Sequence, residues 1–305
     1  MLGNLNPQEK KTYVRMTGGL GNQLFKLMNA FTISKKQNRK LILDISWFSN
    51  SSDPRKLVAS RDLGINYFPS IRQFKTFQWK SSLLFRRTGQ IARRLPTSLQ
   101  IIIGYLTEEN MSTFVKKNRA IRFIDGSFED ISLFPSTDDI HNLLKFPLLE
   151  DGWLKEKLRE ISTSNTLALH VRRGDYMNLR EMYDIVSITY YQNAIKEFEL
   201  RHGKPVIYLF SDDLKNALEF LDGKIIPDFI VDTPREVTAP EILRLMSNFK
   251  GIIASNSTFS WWAGFLGKLF GTCEFVAIPD RFVNLPIDNP LLRLTPDGWH
   301  CLPAS

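Results

Sequence analysis

The chain opens on a pattern that few folds can accept. Residues 12–16 form an apolar run of strand length, and Gly18, Gly19 and Gly21 follow at a density that regular structure does not tolerate. Leu24, Leu27, Met28 and Phe31 then recur at helical spacing, which predicts a helix over residues 22–37. Lys40–Asp44 reads as a second buried strand. Strand, glycine loop, helix and strand make a βαβ unit, whose two strands must lie parallel under a covering helix.

The alternation returns in the second half. Strands are expected at 167–171, 205–210, 225–231, 251–254 and 274–278, with helices at 190–201, 214–221 and 241–248. Between the halves, residues 46–151 show one clear strand, at 120–124. The expected organisation is therefore an α/β chain of two halves, residues 1–150 and 151–305, each built on a parallel sheet. In open parallel sheets, ligands bind beyond the C-terminal strand ends. Every polar motif in this chain falls at such a position.

Composition narrows the partners. The net charge is +8, and seven of the positive charges sit between Leu63 and Thr107, a stretch without Asp or Glu. These are Arg72, Lys75, Lys80, Arg86, Arg87, Arg93 and Arg94. One local basic patch argues against a general nucleic-acid coat. Trp79, Leu83, Ile91 and Leu95 interleave with it and suggest an apolar stripe that rests on an anionic membrane surface; a basic solvated helix packed on its own domain is the competing reading. No apolar run reaches the ~18 residues of a membrane span. Two cysteines in separate contexts, Cys273 and Cys301, and a polar start suggest a cytoplasmic protein with free thiols, peripheral on the inner face of the membrane if the stripe reading holds.

Four motifs carry chemistry. His170-Val171-Arg172-Arg173-Gly174-Asp175 ends a strand; planar guanidinium forks suit a diphosphate. An Arg–Asp ion pair tying down a loop explains the same residues. Asn256, Ser257, Thr258, Phe259 and Ser260 stand just before a helix, where hydroxyls and free N–H groups form an anion site, although an N-cap needs only one of them. Gly18, Gly19, Gly21, Asn22 and Gln23 form the third motif. Gly19 and Gly21 with Asp44 imitate a dinucleotide fingerprint, but its third glycine is replaced by Leu24. In Ser211-Asp212-Asp213, Asp213 suits a helix cap; Asp212 reads first as a solvated strand-end acid, with a base or sugar contact as its alternative. Trp261 and Trp262 read as core rather than as a sugar platform. No HExxH, CxxC or Asp-x-Asp is present, and His141, His170, His202 and His300 are scattered, so no metal is expected.

The segments Thr17 to Phe25, His170 to Tyr176, Phe210 to Asp213 and Ile253 to Trp262 occur in the order found in glycosyltransferase family 11, the α-1,2-fucosyltransferases, which the chain resembles. The resemblance implies a GT-B-like fold of two Rossmann-like halves with parallel sheets facing a central cleft. It implies inverting, metal-independent transfer of fucose from GDP-β-L-fucose to a galactose hydroxyl of a glycan, with no cofactor. The second half would hold GDP: Arg172 on the β-phosphate, His170 near the nucleoside, the 256–260 loop on phosphate oxygens, Glu241 on guanine or ribose. Arg173 and Asp212 would join the donor site. Gly18, Gly19, Gly21, Asn22 and Gln23 would face the acceptor.

Asp175, three residues after Arg172, is the leading candidate for the general base; orientation of Arg172 or Arg173 is its other role, and Glu181 and Asp184 are alternatives. A transfer without a side-chain base is a third. Competing functions are transfer of another GDP-sugar or to another hydroxyl, an NAD-linked oxidoreductase resting on Gly19, Gly21 and Asp44, and a non-catalytic sugar-binding protein.

Overall fold

The βαβ expectation is met at the start of the chain. In a computed structural model that describes residues 9–48, 62–78, 91–117, 119–162, 165–174, 186–281 and 294–305, β1 (Lys11–Arg15), α1 (Leu20–Lys36) and β2 (Lys40–Asp44) follow one another, and β1 pairs with β2 in parallel from Lys11↔Lys40 to Arg15↔Asp44. The β1 side chains alternate: Thr12 and Val14 are buried, while Lys11 is exposed. α1 buries Leu24, Phe25, Leu27 and Met28, the stripe seen in the sequence. Gly18 has φ +82, a conformation that explains a glycine there.

The chain divides into two units, Met1–Lys145 and Phe146–Ser305. The first adds β3 (Lys75–Phe77), α2 (Thr97–Ile103), β4 (Tyr105–Leu106), α3 (Met111–Lys117), β5 (Phe123–Ile124) and α4 (Thr137–Leu143). Its five-stranded sheet has the order β3-β2-β1-β5-β4, and every pairing is parallel. The strand expected at 120–124 shortens to β5: Ile121 N donates outside the sheet to Gln37 Oε1, while Arg122 O still accepts from Tyr13 N of β1.

The second unit holds α5 (Trp153–Ile161), β6 (Thr166–Val171), α6 (Ile188–His202), β7 (Val206–Ser211), α7 (Leu214–Leu221), β8 (Phe229–Ile230), α8 (Ala239–Met246), β9 (Gly251–Ile253), α9 (Thr258–Leu269), β10 (Phe275–Pro279) and β11 (His300–Leu302). Its parallel sheet runs β11-β10-β9-β6-β7-β8. β6 is central and buried along its whole length, as a strand covered on both faces must be. Leu167, Leu169, Tyr190, Phe198, Ile253 and Phe275 share one core. A side chain at Gly251 would collide with the Phe198 ring, so glycine lets α6 seat against β9. Trp261 and Trp262 are fully buried, as expected.

Both units are α/β with parallel sheets, as the sequence implied. In each, the strand order reverses beside the unit's first strand: between β6 and β9 in the second, between β1 and β5 in the first. That reversal leaves a crevice at the C-terminal strand ends. Among the described residues no helix is long and apolar enough to cross a membrane. Of the basic stretch, Trp79, Lys80, Leu83, Arg86 and Arg87 lie outside the described residues, so no stripe is traced through them.

Candidate active site at the strand reversal of the second sheet

β6 and β9 run side by side, with Leu169 opposite Ile253. The two richest motifs therefore leave the sheet at the same edge. A buried hydrogen bond joins them: His170 Nδ1 and Ser255 Oγ lie 2.8 Å apart. Two consecutive tyrosines of α6 brace the junction. Tyr190 Oη donates to Ala254 O at 2.6 Å, and Tyr191 Oη donates to His170 O at 3.2 Å. Burial first, and the nearby Arg172 charge second, push the His170 pKa down to about 3. His170 is a neutral imidazole at physiological pH and serves the site as a fixed polar post.

Arg172 follows β6 directly. Its Nε lies 3.7 Å from Asp212 Oδ2, and its side chain is 19% exposed. Asp212 ends the neighbouring strand β7. Its Oδ1 also accepts from the backbone N–H groups of Arg173 and Gly174, at 3.1 and 3.2 Å. A side chain at Gly174 would press on Asp212 Oδ2, at 2.7 Å from its first carbon. Asp212 thus clamps the loop after β6 and orients the guanidinium. A base or sugar contact was its alternative; in the structure its oxygens are turned to this loop. Asp213 caps α7, with Oδ1 accepting from Asn216 N at 3.1 Å.

Arg173 points elsewhere. Its guanidinium carbon sits 3.4 Å from the centre of the Phe220 ring, and Nη2 donates to Val186 O at 3.1 Å. The side chain is buried within the unit, so its geometry is that of a structural cation–π anchor rather than of the donor contact expected from the motif. Glu241 also departs from its expected part. Its Oε2 accepts from Thr238 N at 2.8 Å and from Thr238 Oγ1 at 2.6 Å, closing a capping box on α8. Asp175, Glu181 and Asp184 lie outside the described residues.

After β9, Asn256, Ser257 and Ser260 are buried, while Thr258 and Phe259 are half-buried. Ser257 is the N-cap of α9; its Oγ accepts from Phe259 N at 3.4 Å. Ser260 Oγ donates to Ser257 O at 3.3 Å. The hydroxyls hold this loop in one shape, and the first turn of α9 presents backbone N–H groups and the positive end of the helix dipole. A guanidinium at one strand end and a helix N-terminus at the next make a site for a polyanion, with Arg172 as its full positive charge.

In the first unit the glycine motif is anchored rather than loose. Gln23 Nε2 donates to Gly18 O at 3.0 Å and to Asp62 O at 2.9 Å, and its Oε1 accepts from Ile65 N at 3.4 Å. Gly19 is the N-cap of α1 and Gly21 is buried in its first turn; Asn22 follows in the same turn. Asp44 Oδ1 accepts from Ser46 N at 3.0 Å and so turns the chain after β2. Burial raises its pKa. The dinucleotide reading therefore loses its acid to a local turn.

Sequence reasoning missed Ser255, Tyr190 and Tyr191. Ser255 stood in the polar run but one residue ahead of the part singled out. The tyrosine pair opened a helix already expected, and its side-chain targets are distant in sequence.

Residues 149–277 match the family model described as Glycosyl transferase family 11. The chain is 28% identical to the O-antigen biosynthesis glycosyltransferase WbnK of Escherichia coli, over 94% of this chain and 99% of that protein. It is 25% identical to an alpha-1,2-colitosyltransferase of Escherichia coli, over 83% of this chain and 86% of that one. A galactoside 2-alpha-L-fucosyltransferase of Caenorhabditis elegans is 25% identical, over 82% of this chain and 67% of the relative. Among solved structures, the fucosyltransferase NodZ from Bradyrhizobium aligns with a TM-score of 0.47 at 18% identity, covering 84% of this chain and 93% of that one.

Proposed function

We propose, from the similarity of residues 149–277 to glycosyltransferase family 11 and from the relatives, that this chain moves L-fucose from GDP-β-L-fucose onto a galactose hydroxyl of a glycan, in α-1,2 linkage. The observation that carries the reading is Arg172, held by Asp212 at the strand reversal where α9 begins. A diphosphate seated on the first turn of α9 would place its β-phosphate within reach of that fork. As the bond between the anomeric carbon and the phosphate oxygen breaks, charge grows on that oxygen, and Arg172 opposes it.

The acceptor oxygen attacks the anomeric carbon from the face opposite the leaving GDP, so a β-linked donor yields an α-linked product. The acceptor proton passes to a carboxylate, for which Asp175 is the leading candidate. Arg172 and the α9 N-terminus neutralise the diphosphate without a metal. The donor lies on the second unit, the acceptor on the first. The protein works in the cytoplasm. Its basic 63–107 stretch touches an anionic membrane, a contact supported by the exposed Ile91, Leu99, Ile102 and Ile103 beside Arg94. Absence of flotation with anionic vesicles at low salt would rule that contact out.

A second donor deserves a direct assay, because one relative is named a colitosyltransferase. The test is purified protein with GDP-fucose and a panel of galactosides, with the product linkage read by NMR. An α-1,2-fucosylated product is expected. Transfer from another GDP-sugar with GDP-fucose inert would favour the second donor; binding of neither nucleotide-sugar would remove the reading.

A further inference from the structure

Among the described residues the ladder between β6 and β9 goes no further than Leu169↔Ile253. Arg172 and the α9 N-terminus both lie past that pair, where the strand order reverses. Sheet hydrogen bonds between these two strands therefore do not set the distance from one positive group to the other. It depends on what holds residues 170 and 254–257.

Three side-chain hydrogen bonds take over where the ladder stops, and consecutive tyrosines make two of them. Tyr190 Oη donates to Ala254 O at 2.6 Å, Tyr191 Oη donates to His170 O at 3.2 Å, and Ser255 Oγ lies 2.8 Å from His170 Nδ1. Neighbouring residues of a helix point about 100° apart, so the two phenols reach different strands. One turn of α6 thus grips the end of β6 and the end of β9. Ser257 N donates to Ser255 O at 2.7 Å, which carries that grip to the cap of α9.

The gripping turn is itself fixed. Ser187 caps α6, with Oγ accepting from Tyr190 N at 3.3 Å, and Ser187 N donates to Ala304 O at 2.7 Å. Ala304 N donates in turn to Asp280 Oδ1, just past β10, at 2.9 Å. From the other side Arg173 Nη2 holds Val186 O, and the Phe220 ring under Arg173 meets the Tyr191 ring edge-on at 5.9 Å. Packing alone does not require the hydroxyls. Both rings are buried, where phenylalanine would fill the same space and an unbonded phenol would cost free energy. Each hydroxyl is spent on a strand-end carbonyl beside the site.

We propose that Tyr190 and Tyr191 are positioning residues of the donor site: they fix the span between the Arg172 strand end and the α9 N-terminus, and so select a nucleoside diphosphate over a monophosphate. A monophosphate resting on α9 is indifferent to that span, whereas a second phosphate gains Arg172 only if the span is right. This rests on the fucosyl-transfer reading, which takes GDP as the group bridging the two. Calorimetric titration of the full chain with GDP and with GMP tests it, for wild type, Tyr190→Phe, Tyr191→Phe and Ser255→Ala. Tyr208→Phe is the control, a buried β7 ring packed on Phe229 and Phe249. Wild type should prefer GDP by about tenfold or more, the worth of hydrogen bonds to a charged group. Both tyrosine variants and Ser255→Ala should lose about threefold or more of that preference through weaker GDP binding, with GMP affinity as in wild type. Tyr208→Phe should keep the preference whatever its melting temperature. A wild-type preference retained in either tyrosine variant, or in Ser255→Ala where a tyrosine variant does not fold, overturns the proposal and leaves the donor reading standing. Equal losses of GDP and GMP affinity, or a lost preference in Tyr208→Phe, also overturn it, by assigning the hydroxyls to the fold. No preference for GDP in wild type overturns the donor reading, and the proposal falls with it.

Discussion

A guanidinium serves a leaving diphosphate only if its fork is held in one orientation, and Asp212 holds Arg172 from the neighbouring strand. Arg172→Ala is expected to lose about 2.7–4 kcal/mol of transition-state stabilisation, a fall of about 10²–10³ in kcat. Arg172→Lys keeps the charge and loses the fork, so it should also fail. Asp212→Asn keeps an acceptor for the Arg173 and Gly174 N–H groups but removes the charge facing Arg172. Its kcat should fall while the protein stays folded; turnover unchanged in either Arg172 variant would end the assignment. His170 gives a separate, pH-resolved test. Its folded pKa is lowered to about 3, against about 6.5 in an unfolded chain. The folded protein binds fewer protons in that window, so this residue contributes stability above pH 6.5 that is lost as pH falls toward 3. His170→Asn should flatten the melting-temperature profile between pH 6.5 and pH 4; an unchanged slope would show that the imidazole is not buried neutral. Arg172 was legible because its motif is dense. Asp212 as its clamp was not, because the two residues lie on different strands and only the sheet order brings them together. The placement of Arg173 was not legible either: its side chain turns back onto Phe220, which no motif states.

At the scale of elements, caps made the pattern readable. Lys40–Asp44 and Leu214–Leu221 match the bounds expected from sequence, the second because Asp213 marks its start. β4, β5 and β8 have two residues each, too few to show a period of two, and the longer ladder around them decides that they are strands. α8 shows how a cap imitates a ligand contact. Glu241 looked like a reader of guanine or ribose, but Thr238 and Glu241 satisfy each other across the first turn. Glu241→Gln should therefore cost stability, at most about 1 kcal/mol since glutamine also completes a capping box, and should leave GDP affinity as it was. Calorimetry and a GDP titration on one preparation decide it: a selective loss of GDP binding would return Glu241 to the donor site.

At the scale of the molecule, the reading turns on how negative charge is balanced. The second sheet brings two sources of positive potential to adjacent strand ends, the Arg172 guanidinium and the α9 N-terminus. A helix end carries roughly half a positive charge, and a fixed guanidinium carries a full one. The Arg172 side chain is only 19% exposed, and partial burial strengthens its field relative to bulk solvent. For the proposed reaction these two would supply the counter-charge to a departing GDP, and the sequence offers no Asp-x-Asp to hold a divalent ion beside it. The order of strands was the part no motif could state, since motifs report which residues leave strands and not which strands are neighbours. With the order known, the prediction is specific. Fucosyl transfer should keep its kcat within about twofold in excess EDTA. Added magnesium or manganese should change the donor KM little, because the diphosphate would already be paired. Complete loss in EDTA with recovery on manganese would mean that Arg172 and α9 do not suffice. Loss of transfer in Arg172→Ala that manganese partly restores would instead confirm their share, since the ion would be supplying the positive charge that the variant lacks.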